Sequence, residues 1–272
     1  MDHFESLLQS IIDEPENFGP RLVFADWLEE QQSSQAQYIR ICNEIASLQA
    51  GAERNTLEQR ANACVESDQH RWNAPIHRML SQTSVRKKAR GGEIRRWCYS
   101  DGCIEHVEIS VNALEAHWST IQRIGPINSL QLVGKRNKRD LRILNCLSNK
   151  PDSFFRIKTL DLRSIFCPRE RWRELFQNDA LKSLTHLKLG QWSLEDRPFG
   201  PGIRYPTDWY QSNWRSLAQS LFHLAPAKLE TVQLQACIGP GWGAIPIAFH
   251  RNLETGIIEV KYAQRFSAGV NR

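Results

Sequence analysis

The sequence predicts an α/β solenoid, parallel strands with outer helices, preceded by an all-α head. Three observations carry this reading. An apolar-x-x-apolar-x-apolar spacing returns six times between Ile104 and Tyr262, helix-like stretches separate successive copies, and the first eighty residues are helical in pattern without that spacing. The copies are Ile104, Val107, Ile109; Ile127, Leu130, Leu132; Ile157, Leu160, Leu162; Leu184, Leu187, Leu189; Leu229, Val232, Leu234; and Ile257, Val260, Tyr262. By subtraction their starts lie 23, 30, 27, 45 and 28 residues apart. Each interval holds one strand and one return segment, so neighbouring units bury their apolar faces on one another.

The bulk composition permits this. With 272 residues, 41% of them hydrophobic and 24% charged, the chain has material for one elongated domain or two compact ones. The first twenty residues hold Asp2, Glu5, Asp13, Glu14 and Glu16 and no Lys or Arg, unlike the basic start of a secretory or transit peptide. No apolar run nears the roughly 18 residues of a membrane span, so a cytoplasmic protein without membrane contact is expected. The seven cysteines, Cys42, Cys64, Cys98, Cys103, Cys146, Cys167 and Cys237, are odd in number and scattered, which suits buried reduced thiols. Cys98 and Cys103 flank Tyr99-Ser100-Asp101-Gly102 at a spacing open to pairing or metal binding, but no second Cys/His pair completes a tetrahedral site. No metal and no cofactor are expected. A net charge of +5 permits a nucleic-acid or acidic partner without requiring one.

Taken in order, Phe4, Leu7, Leu8, Ile11 and Ile12 form one face of a first helix, interrupted at Pro15 and Gly19-Pro20. A second helix starts near Pro20, whose fixed φ suits a first turn, and carries Leu22, Val23, Ala25, Trp27 and Leu28. After a polar connection from Gln31 to Gln35, a third runs from about Ala36 to Leu48 and stops at Gly51. Residues 55–80 read as one or two more helices broken at Pro75. Ser84 to Gly92 is a polar, basic connector, so a helical head spans 1–92 and the repeat region 93–272.

Within the head, Asp13-Glu14-Pro15, the run Pro20-Arg21-Leu22-Val23-Phe24-Ala25-Asp26-Trp27-Leu28-Glu29-Glu30, and Tyr38-Ile39-Arg40 resemble the bacterial repeat-companion domain that heads many leucine-rich-repeat proteins. The run from Arg21 to Glu30 is the specific part; Gln31 to Gln35 departs from the Gly-Asp-Pro type turn of that family. The resemblance covers about a sixth of the chain. It implies that repeats follow and assigns no chemistry. A stack of repeats exposes an apolar end that needs a polar-faced cap, and the head is expected to supply it, with Trp27 and Leu28 in its core.

The first repeat unit fills the leucine-rich template L-x-x-L-x-L-x-x-N-x-L with Ile104, Val107, Ile109, Asn112 and Leu114. The resemblance implies that the Asn hydrogen-bonds the backbone of its turn. Cys237 takes that slot in the fifth unit, and Lys135, Ile165 and Trp192 take it elsewhere, so the units are irregular. Return helices are expected at Leu114, Trp118, Ile121 and Ile124, at Leu141, Leu144 and Leu147, and at Trp172, Leu175 and Phe176. The stretch 191–228 is too long for one return helix and reads as an insertion loop plus a helix.

The residues flanking the middle apolar position of each strand face the open side of the sheet: His106 and Glu108, Ser129 and Gln131, Thr159 and Asp161, His186 and Lys188, Thr231 and Gln233, Glu259 and Lys261. Such a concave stripe is the usual partner surface of repeat proteins, although any solvated strand face looks similar. Its charges alternate, with Asp161 expected beside Lys188, which disfavours a nucleic-acid backbone lying along it. A second candidate surface is the aromatic set Trp192, Tyr205, Trp209 and Trp214 in the insertion, exposed as an anchor patch or folded back as cover. A third is basic: Arg86, Lys87, Lys88, Arg90, Arg95 and Arg96 followed by Trp97 and Tyr99, together with Lys135, Arg136, Lys138 and Arg139. That is the composition of a nucleic-acid contact or of a solvated linker.

Catalysis finds little support. His106 lies three units from His186, too far to share a proton path, and only His186 with Asp161, one strand apart, leaves a hydrolase-type alternative. Gly239-Pro240-Gly241-Trp242-Gly243 lacks the Lys-Ser/Thr pair of a phosphate loop. The sequence reading is a non-catalytic protein–protein interaction scaffold, with a nucleic-acid-binding module as the alternative.

Overall fold

The computed structural model describes residues 3–81, 94–134, 154–165, 174–175, 178–193, 218–219, 221–223, 225–237 and 245–262. It is a mixed α/β protein with an N-terminal helical region, and its chain divides into two compact units, Met1–Asn128 and Ser129–Arg272.

The first unit holds α1 (His3–Asp13), α2 (Phe18–Glu30), α3 (Gln35–Ser47), α4 (Ala52–Ser81), β1 (Ile94–Ser100), β2 (Cys103–Ser110) and α5 (Val111–Ile121). Helix α2 begins two residues before Pro20 because the Asn17 side chain accepts a hydrogen bond from Gly19 N–H at 2.9 Å. Pro20 then sits in the first turn, where a missing N–H costs nothing. The break expected at Pro75 does not occur: α4 is one helix of 30 residues with Pro75 inside it. Trp72 and Ile76, on either side of the proline, are buried. Trp72 stacks on Tyr38 at 5.3 Å and donates to Ser34 Oγ at 3.1 Å. Packing of this kind outweighs the roughly 3 kcal/mol that an interior proline costs.

Strands β1 and β2 form an antiparallel hairpin closed by Asp101 and Gly102, both at positive φ, 46° and 88°. Asp-Gly is the preferred pair for such a two-residue turn. The hairpin is held to the helices by Gln35 Nε2, which donates to Gly102 O at 3.0 Å, and by Asn73 Oδ1, which accepts from Trp97 Nε1 at 2.7 Å and Tyr99 Oη at 3.1 Å. The unit therefore extends past residue 92, where composition changes, to Asn128. Ser110 Oγ caps α5 by accepting from Ala113 N–H at 3.1 Å, while Asn112 lies exposed in the first turn of that helix.

The second unit carries β3 (Ser129–Val133), β4 (Thr159–Leu162), β5 (His186–Ser193), β6 (Thr231–Cys237), β7 (Ile245–Arg251) and β8 (Ile258–Tyr262) in sequence order. From β3 to β6 neighbours are parallel, with Leu130, Leu160, Leu187 and Val232 in one cross-strand row. All four are buried. The sixth copy of the apolar spacing departs from expectation. It lies in β8, which pairs antiparallel with β7, itself antiparallel to β6. The cause is the short connection: Asn252 Oδ1 accepts from the N–H groups of Glu254 and Thr255 at 2.9 Å each, and Gly256 takes φ of 70°. A turn this tight reverses the chain, whereas a parallel return needs a dozen or more residues. Ile257, expected inside, is 62% exposed.

The return helix at Leu141 to Leu147, most of the one at Trp172 to Phe176 and most of the insertion lie outside the described residues. Of the described residues in these stretches, Leu175, Ala218, Leu221 and Phe222 are buried, whereas Glu174, Gln219 and His223 are exposed.

Candidate functional site

The alternation of side chains along a strand turns the parallel pairing of β3 to β6 into a two-faced layer. On the polar side, register aligns Ser129, Thr159, His186 and Thr231 in one row and Gln131, Asp161, Lys188 and Gln233 in the next. The antiparallel strands continue both rows, the first through His250 and Glu259 and the second through Ala248 and Lys261. Ten of the residues singled out from sequence on these strands thus share one surface: the eight on β3 to β6, and Glu259 and Lys261. His186 is exposed, Gln131, Thr159, Lys188 and Gln233 are half-buried, and Asp161 and Thr231 are buried.

Asp161 is neutralised locally. Arg163 Nε lies 3.0 Å from each carboxylate oxygen, Arg163 Nη2 donates to Oδ2 at 2.6 Å, and the Arg163 backbone N–H donates to Oδ1 at 3.0 Å. This bidentate grip holds the Arg163 guanidinium above its ordinary pKa. Register places Lys188 beside Asp161, as the spacing predicts, yet the carboxylate is engaged by Arg163.

His186 takes a different partner from the one the hydrolase alternative needs. Its register neighbours are Thr159 and Thr231, and its Nδ1 lies 2.8 Å from Thr185 Oγ1. Asp161 and His186 are not brought together as a base and its orienting carboxylate.

His250 was not among the sequence candidates because β7 was not recognised as a strand. Its Nδ1 lies 3.2 Å from Thr231 Oγ1. Burial pulls its pKa below the usual imidazole value, helped by Lys261 and His186 and opposed by Glu259. Arg163 was missed as well; the Asp-x-Arg spacing at the end of β4 is the signal that finds it.

The remaining candidates lie on other strands or outside the described residues. His106 and Glu108 are half-buried on β2 in the first unit, opposite Cys98 and Arg96 across the hairpin. Arg95 and Arg96 are exposed on β1, but Trp97 and Tyr99 are committed to Asn73 rather than presented for base stacking. Arg86, Lys87, Lys88, Arg90, Lys135, Arg136, Lys138, Arg139, Tyr205, Trp209 and Trp214 lie outside the described residues, and Trp192 is placed only as a backbone position in β5.

Cys98 and Cys103 are both free thiols, and burial pushes Cys103 up to about 12. Among the described residues no group of three or more His, Cys, Asp or Glu side chains is placed to hold a metal ion. Nor, among them, is any helix long and apolar enough to cross a membrane.

The motif residues of the head take structural positions. Arg21 is buried with Nη2 3.0 Å from Glu105 Oε1, and it also donates to Pro15 O. Glu105 accepts in addition from Asn128 Nδ2 at 2.7 Å. Arg40 bridges Asp26 at 2.8 Å and Glu29 at 2.7 Å on the surface. Trp27 sits in a ring cluster with His3, Phe4 and Phe24.

No protein-family model, curated protein or solved structure matches this chain.

Proposed function

We propose that this chain is a non-catalytic protein-recognition module of leucine-rich-repeat type, headed by a repeat-companion-like domain, and that its partner lies across the polar side of β3 to β6. The observation that carries this reading is the pair of in-register rows, Ser129-Thr159-His186-Thr231 and Gln131-Asp161-Lys188-Gln233. Such rows offer hydrogen-bond donors and acceptors at the roughly 4.8 Å strand spacing. They do so on a platform whose opposite side is packed, so the groups are held in place before a partner arrives. The Asp161–Arg163 pair supports the same role, since it fixes the middle of the surface without leaving an uncompensated buried charge.

The test is affinity capture with the full chain beside the triple variant Gln131→Ala, Lys188→Ala, Gln233→Ala, with captured proteins quantified by mass spectrometry. Asp161 is left intact because its loss would free Arg163 and disturb β4. Partners held by the parent and lost from the variant are the expected result. The same partners in the same amounts would remove this surface as the recognition site.

A further inference from the structure

We propose that β8 is a self-complementary edge through which two copies of this chain pair strand to strand. β8 ends the strand order, with β7 on one side and no strand among the described residues on the other.

Two observations single out a second copy as the occupant. The first is apolar. The row Leu130, Leu160, Leu187, Val232, Phe249 and Val260 runs in register across the strands. The first five are at most 1% exposed, while Val260 is only half-buried and Ile257, just before the strand, is 62% exposed. The apolar layer is thus left open at β8, and burying more of it against another chain is favourable.

The second observation is the order of charges. Glu259 and Lys261 stand two residues apart on the polar side, each with a side chain 65% exposed, in a loose 3.8 Å contact. Antiparallel pairing of two copies about a two-fold axis at Val260 sets Glu259 opposite the partner's Lys261 and Lys261 opposite the partner's Glu259. Both cross-strand pairs then have opposite sign, and Val260 meets its own copy on the apolar side. Opposite charges facing across strands are favourable and like charges unfavourable. A parallel pairing in register would set Glu259 against Glu259, so the charges also choose the direction. Exposed edges are commonly guarded by charges that repel pairing; on β8 they are arranged to accept one partner, the same strand reversed. An interface built on five residues is small, so a weak, concentration-dependent dimer is expected.

Sedimentation velocity on the full chain over a concentration series tests this. The parent is expected to pass from monomer to dimer and to associate less as salt rises, since exposed ion pairs are screened. Lys261→Glu and Glu259→Lys should each weaken association roughly tenfold or more, because either change makes both facing pairs like-charged. The double variant E259K/K261E restores opposite signs and should regain the parent's association. Both positions are exposed, and unchanged thermal melts confirm that the variants fold; the salt series reads the same ion pairs without any substitution. A chain that stays monomeric up to about 1 mM, or a dimer indifferent to the single substitutions and to salt, would overturn the proposal.

Discussion

Arg21 is 3% exposed, and its guanidinium is shared between Glu105 on β2 and the carbonyl of Pro15, with the Phe18 ring 5.2 Å away. A guanidinium so placed is tolerable only because it is paired; removing one partner leaves the other charge buried alone, at about 3–5 kcal/mol. Arg21→Ala should destabilise the protein by that amount. The penalty should also depend on pH. Burial foremost, then the nearby Asp101, raises the Glu105 pKa above its ordinary value, while Asn128 and Arg21 pull it down. A carboxyl whose folded pKa lies above its unfolded one binds its proton more tightly in the folded state. Its destabilising effect is therefore absent below the unfolded pKa and grows as pH rises through the folded one. Without Arg21 the folded pKa moves higher still. Urea unfolding of parent and variant from about pH 4 to pH 8 should show the stability gap narrowing toward acid; a gap constant across that range would contradict the assigned role. Helical spacing leaves Arg21 outside the apolar set Leu22, Val23, Ala25, Trp27 and Leu28, because the residue that justifies its burial comes 84 positions later on a strand.

Turns decide what the elements become. At Gly102, φ of 88° belongs to the left-handed region that favours glycine, and an added Cβ would fall 2.2 Å from Ile39 Cγ1. Gly256 shares the positive φ, at 70°, but nothing lies within 4 Å of its position. The two positions separate backbone strain from steric overlap. Gly256→Ala should cost about 1 kcal/mol, and Gly102→Ala roughly 2–5 kcal/mol because α3 must move as well; equal shifts in the denaturation midpoint would refute the distinction. The same turns explain which strands were legible. Five copies of the apolar spacing fall on β2 to β6, because burial under neighbours forces Val107, Leu130, Leu160, Leu187 and Val232 to be apolar. Spacing carries no information about direction, so β8 fits the pattern and runs the other way. Strand β1 falls inside the region that the sequence assigns to strands from 93 onward, and Asp101-Gly102 between it and β2 is a hairpin signal that the apolar spacing alone does not use. The alternation of Ile247, Ala248, Phe249 and His250 marks β7 in the same manner, but Pro246 and the Gly-Pro run before it read as loop.

At the scale of the whole molecule, the period of two along each strand assigns adjacent residues opposite duties. Leu187 is fully buried in the row between Leu160 and Val232, whereas Lys188, one residue on, stands half-buried in the polar row between Asp161 and Gln233. The candidate site was legible to this extent because polar-row membership follows from the pleat alone. Its chemistry was not, because Arg163 lies beyond the strand end and His250 enters from an unrecognised strand. The consequence is a division of labour that substitutions can separate. Leu187→Ala removes packed methyl groups and leaves a cavity, so it should cost about 2–5 kcal/mol of stability. Lys188→Ala takes away a partly exposed side chain whose neighbouring carboxylate is already held by Arg163, and its effect on stability should stay within about 0.5 kcal/mol. Chemical denaturation reads both directly. Comparable losses at the two positions would mean that the polar rows belong to the packed side, and with them the proposed recognition surface would lose its basis.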